Sequence, residues 1–130
     1  MSDKPQNTIE RSVGFLVQEI HGLNRRVGWW TDENTGEDLR GKRNIPTDLM
    51  LIVSEIAEAM EGHRKDLMDD KLPHRKAIEV ELADALIRIC DISGGNGWDL
   101  AGAVAEKLAY NATRVDHTME ARRSKNGKKY

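Results

Sequence analysis

The chain has 130 residues, 38% of them hydrophobic and 32% charged, with a formal net charge of −2. That length suits one domain with a core of its own, and the apolar content excludes a disordered chain. A near-neutral balance excludes the global basic field of a duplex-binding domain.

The N-terminus, MSDKPQNTIERS, has no basic segment followed by an apolar one, so no signal peptide is expected. No apolar run approaches the ~20 residues that span a bilayer. The single cysteine, Cys90, lies in an apolar run, fits a small buried hydrophobe, and suggests a reduced, cytoplasmic compartment.

In chain order, the first helix is expected from about Thr8 to Val27, because Ile9, Val13, Leu16, Ile20 and Leu23 recur at three and four. Residues 28–44, GWWTDENTGEDLRGKRN, are polar and turn-rich and read as a loop. Its adjacent Trp29 and Trp30 either plug the bundle or a subunit interface, or one of them, with Trp30 the candidate, stacks on a ligand base. Its basic run RGKRN (40–44) either reaches ligand phosphates or faces solvent, and the solvent-facing reading is preferred. A second helix starts at Pro46-Thr47-Asp48, with Thr47 or Asp48 as cap, and reaches about Leu67.

After the linker MDDKLP a third helix is expected from about Pro73 to Ile92, apolar on nearly all sides beyond Ile78 and therefore enclosed by neighbours. The glycines of SGGNG (93–97) suit a left-handed cap. Asp99 can cap a fourth helix that reaches at least Arg114, and residues 115–130 form a basic tail. Strand signals are nearly absent. The expected fold is all-α, a single domain with a four-helix bundle core and antiparallel neighbours.

Two helices expected to be buried carry carboxylates at three-residue spacing: Glu55, Glu58 and Glu61 in the second, Glu81 and Asp84 in the third. Residues three apart share a helix face. In an antiparallel pair Glu55, Glu58, Glu81 and Asp84 can converge. Crowded like charges raise one another's pKa, and burying them unpaired is costly. A divalent cation resolves the conflict, and all-oxygen ligation favours Mg²⁺, or Mn²⁺, over Zn²⁺. Solvated acidic helix faces are the ordinary alternative, but no Lys or Arg lies between Glu55 and Glu61 or between Glu79 and Asp84.

In the fourth helix Lys107, Asn111 and Arg114 fall at i, i+4 and i+7, with Tyr110 beside them. Two cations and an amide on one face suit a polyphosphate. Of the four histidines, His21, His63, His74 and His117, none has ligand spacing. The first three read as surface residues, and His117 sits one turn beyond Arg114.

SEIAE (54–58) followed by ELAD (81–84) resembles the ExxE…ExxD signature of the MazG-like all-α nucleoside triphosphate pyrophosphohydrolases. KLAYNATR (107–114) is similar to that family's KxxYNxxR segment, and the terminal GKKY (127–130) to the ending of its short members. The resemblance covers about residues 45–130. It implies a four-helix core assembled as a dimer or dimer of dimers. It also implies Mg²⁺-dependent hydrolysis of nucleoside triphosphates, expected to be deoxy, to monophosphate and pyrophosphate by metal-activated water. Glu55, Glu58, Glu81 and Asp84 would then be metal ligands, and Lys107, Tyr110, Asn111 and Arg114 would hold substrate, with Lys128 and Lys129 closing from the tail. Ser54 stands where many members have a glutamate; Glu61 is a substitute base or a solvated helix-end residue. The rival reading is a non-enzymatic helical module whose acidic face binds a basic partner.

Overall fold

Helix starts and stops in this chain are set by side chains that satisfy orphan backbone groups. In a computed structural model, which describes residues 5–114 and 118–130, these signals give five helices. They are α1 (Pro5–Arg26), α2 (Ile45–Arg64), α3 (Ala77–Asn96), α4 (Leu100–Thr113) and the short α5 (Met119–Arg123). Among the described residues there is no strand, only isolated bridges between Thr31 and Asp38 and between Met68 and Lys76. No helix among them is long and apolar enough to cross a membrane. His117 and its two preceding residues lie outside the described residues.

The second helix opens earlier than Thr47 or Asp48. Asn44 is its cap, with Oδ1 accepting from the Thr47 N–H at 2.9 Å, and Pro46 occupies the first turn. Asp48 is freed for another task, described below. The third helix begins at Ala77, not Pro73. Asp69 Oδ2 takes the N–H groups of Lys71 and Leu72, which fixes the linker as a turn. Glu79 then reaches back to the Lys76 N–H at 3.2 Å. The helix also runs on through Gly94 and Gly95. Only Gly97 is left-handed, at φ 70°, and Trp98 N–H closes the cap on Ser93 O at 3.0 Å. Asp99 caps α4 as expected, accepting from the Gly102 N–H at 2.9 Å.

The chain divides into two compact units: Leu16–Trp98, and Met1–Phe15 with Asp99–Tyr130. In the first, α2 and α3 form the main helix pair. They run antiparallel: Gly62 abuts Ala77, Glu55 meets Arg88, and Gly41 bonds to Gly95. Buried Ala59 and Ala85 allow the close approach.

The loop 28–44 is not loose. Trp30, 1% exposed, lies flat against Gly95, where a Cβ would stand 2.2 Å from the ring. Its Nε1–H donates to Asp91 at 2.8 Å. Arg43 stacks 4.4 Å above the same ring and binds buried Asp48 at 2.6 Å. That corrects the solvent-facing reading for Arg43, whereas Arg40 and Lys42 pair with Asp38 and Glu37 at the surface. His21 is likewise no surface residue: its side chain is 13% exposed and its Nδ1 lies 2.9 Å from Asp91 Oδ1.

The other unit holds the N-terminal part of α1 with α4, α5 and the tail. The tail folds back on α5. Arg122 donates from Nε to the Lys128 carbonyl at 3.3 Å and from Nη2 to that of Lys129 at 2.9 Å. Lys129 Nζ in turn donates to the carbonyls of Arg122 and Ser124. Tyr130 is fully exposed, so it anchors nothing within the chain.

Candidate metal centre

The antiparallel pairing turns one face of α2 toward one face of α3. Glu55, Glu81 and Asp84 each place a carboxylate oxygen within 4.8 Å of the others. Glu58 belongs to the same group, since its carboxyl acts on Glu81 through a hydrogen bond and through its charge. Of the four acidic residues singled out by spacing, Glu55, Glu81 and Asp84 come together, and Glu58 acts on Glu81 from beside them.

The electrostatics follow from crowding. Glu81 is pushed up to about 8, first by the hydrogen bond it shares with Glu55, then by burial and by Glu58. Burial is the main cause that raises Asp84, with the charge of Glu55 next, and Arg88 opposes it. The Glu55 side chain is only 12% exposed, and its close cation among the described residues is Arg88, whose Nε lies 3.4 Å from Oε1. That is a long contact of modest strength. A cluster in which crowding and burial raise Glu81 and Asp84 has the character of a cation site. Its all-oxygen donors suit a hard divalent ion such as Mg²⁺ or Mn²⁺.

Glu61, one turn past Glu58, is pulled down by its hydrogen bonds to Arg64 and Lys65, at 2.9 and 2.8 Å. It is a helix-end ion pair and not a free base. Ser54 is occupied locally, its hydroxyl donating to the Leu51 carbonyl. Cys90 is 1% exposed, and burial raises its thiol, as a packing role requires.

Two cavities adjoin the carboxylates. The smaller, about 210 Å³, is acidic, with Glu58, Glu61, Asp69, Asp70 and Glu81 in its lining. The larger, about 480 Å³, has Glu55 and Asp84 in one wall, with Trp29, Arg43, Arg88 and Asp91 in others. That volume lies in the range of small-molecule pockets.

Of the tandem tryptophans, Trp29 lines this cavity and is exposed, whereas Trp30 is sealed in the core. The place expected for Trp30 thus passes to its neighbour. Arg43, from the basic run 40–44, lines the cavity together with Arg88 and Asp91, which the motif spacing does not mark. A signal existed for the latter two. Arg88 is four residues past Asp84 and Asp91 seven past it, so both share its helix face.

The other predicted ligands lie in the second unit. Lys107 Nζ and Arg114 Cζ stand 4.9 and 5.7 Å from the Tyr110 ring centre, so the aromatic is flanked by cations. Asn111 Oδ1 is buried without a hydrogen-bond partner among the described residues. A cavity of about 790 Å³ is lined by Tyr110, Arg114, Asn126 and Lys128, among others. Lys129 is instead spent on the backbone of α5.

No family model matches this chain, and no curated protein or solved structure matches it. The class that fold and site support is an all-α protein with an acidic cluster able to hold a metal ion.

Proposed function

We propose that the protein is a Mg²⁺-dependent nucleoside triphosphate pyrophosphohydrolase of MazG-like type, acting on deoxynucleoside triphosphates in particular. One observation carries the reading. Three carboxylates from two antiparallel helices, with Glu58 beside them, converge next to a ligand-sized cavity, with Arg88 as the close counter-charge.

Glu55, Glu58, Glu81 and Asp84 would hold the cation. When bound, it supplies Lewis-acid polarisation of phosphate oxygens and a lowered pKa for water. The chain's own residues do the rest. Arg43 and Arg88 attract and orient phosphate oxygens, Arg with two parallel N–H donors. Trp29, Leu51 and Ile87 form apolar wall that excludes water from the nucleotide. Lys107, Asn111 and Arg114, with Tyr110 and Lys128, are a second polyphosphate-compatible set. No Ser–His or Cys–His pair suited to nucleophilic catalysis occurs among the residues of the metal centre, so water is the nucleophile.

The four-helix core and homo-oligomer belong to this reading. They are supported by the apolar residues left open on the carboxylate-bearing helices. Leu49, Val53, Ile56 and Met60 form a stripe along α2, and Leu82 and Leu86 lie one turn apart on α3.

The test is a panel of ribo- and deoxynucleoside triphosphates with Mg²⁺, scored for pyrophosphate against orthophosphate. Nucleoside monophosphate and pyrophosphate are expected, with turnover abolished in Glu58→Gln and Asp84→Asn. Stepwise orthophosphate release would sink the reading. An acidic interaction module would show no joint thermal stabilisation by Mg²⁺ and a non-hydrolysable nucleotide, whereas a metal–nucleotide site must show it.

A further inference from the structure

Among the described residues Asp91 is one of three buried polar or charged ones, at 7% exposure, and its side chain is nine-tenths covered. Buried polar atoms in folded proteins almost always find partners. Asp91 satisfies this through Oδ1. Oδ1 accepts from Trp30 Nε1–H at 2.8 Å and faces His21 Nδ1 at 2.9 Å. A carboxyl oxygen between two ring nitrogens requires both to donate, so His21 carries its proton on Nδ1 toward Asp91. Oδ2 has no hydrogen-bond partner among the described residues and is not one of their sealed, unpartnered atoms; Asp91 lines the 480 Å³ cavity that also contains Glu55 and Asp84.

The carboxyl group is also held rigidly. Trp30 is pinned between Gly95 and Arg43, Arg43 is pinned by Asp48, and the His21 ring meets Trp30 edge-on at 5.1 Å. Four side chains, with the bare backbone of Gly95, thus fix the direction of one open acceptor. A precisely held acceptor in a pocket rejects ligands that lack the matching donor, because the acceptor is then left buried and unpaired.

We propose that Asp91 is a specificity-determining residue: its free Oδ2 accepts a hydrogen bond from the nucleoside part of the substrate. The inference rests on the nucleotide reading of the metal centre. Asp91 lies two helical turns beyond Asp84 on the same face of α3, about 10 Å along the axis at 1.5 Å per residue. That is too far for the phosphorus held beside Asp84 and suits the sugar or base that follows it. The donor is an O–H of the sugar or an N–H of the base, and no acceptor-only edge fits.

The experiment compares the wild-type protein with Asp91→Asn. Asparagine keeps an oxygen for Trp30 and His21 and replaces the open acceptor with an N–H donor, so the cavity changes polarity with little change in shape. KM is expected to rise at least about tenfold for the preferred nucleotide, with kcat, Mg²⁺ dependence and melting temperature near wild type. For analogues lacking the matching donor, the variant and wild type are expected to be alike.

Two series separate the sources. Ribo-, 2′-deoxy- and 3′-deoxynucleotides of one base report the sugar. Guanine against hypoxanthine and cytosine against uracil report the base amine. If the asparagine variant melts early, Asp91→Ser, which keeps an oxygen for the Trp30 N–H, is measured instead. His21→Ala leaves Oδ2 in place and is expected to preserve the substrate ranking. A uniform loss over all nucleotides, or an unchanged ranking, overturns the role of Asp91 while leaving the hydrolase reading intact. A wild-type protein that neither binds nor hydrolyses any nucleoside triphosphate with Mg²⁺ overturns both.

Discussion

Glu81 sits between Glu55 and Glu58, and that position decides its chemistry. A carboxyl raised from 4.5 to about 8 binds a proton in the folded state that the unfolded chain releases. The sign follows. In the metal-free protein, stability is fully present below the unfolded value and falls as pH rises through the interval up to about 8. Thermal unfolding in EDTA between pH 5 and 8.5 should therefore show a melting temperature that declines with pH. Mg²⁺ should flatten the decline, because the ion supplies the missing positive charge. Glu81→Gln should raise the metal-free melting temperature at pH 8, remove most of the slope, and abolish hydrolysis. A slope unchanged in the variant would show that the carboxylates do not feel one another as their geometry requires.

At the scale of elements, the loop 28–44 is the feature whose role changed most between pattern and structure. It has no period, yet it is tied to α3 by Trp30 on Gly95, by the Gly41 N–H on the Gly95 carbonyl, and by Asp91. Gly95→Ala would drive a methyl into the indole ring. Overpacking of this kind costs about 1–3 kcal/mol. The expected result is that loss in chemical denaturation. Weaker nucleotide binding should accompany it, since displacing Trp30 moves both Arg43 and Asp91. A variant with wild-type stability would mean that the loop is not held by this contact.

At the scale of the whole molecule, α2 is two-faced. One face gives Glu55, Glu58 and Ala59 to the pairing with α3; the other leaves Leu49, Val53, Ile56 and Met60 about half or more exposed. An apolar stripe of that length beside a site is characteristic of a surface that meets another protein surface. Sedimentation at micromolar concentration is expected to give a dimer or larger. Paired substitutions Val53→Asp and Ile56→Asp should dissociate it with the monomer still helical. A stable, active wild-type monomer would refute the assembly.

The helices and the carboxylate cluster were legible in the sequence because both depend on local spacing. Apolar residues at three and four made the helices visible, and Glu55, Glu58, Glu81 and Asp84 share faces by the same arithmetic. Caps were half legible. Asp99 was found, but Asn44 was hidden behind two other good capping residues, and only folding drew Asp48 away to Arg43. What tertiary structure alone decided were contacts between segments distant in sequence: Trp30 buried and Trp29 open, His21 on Asp91, Arg43 beside the cavity. No periodicity reports these, because each joins residues from separate elements. Whether a polar side chain in such a place is solvated or satisfied depends on which neighbours the fold delivers to it.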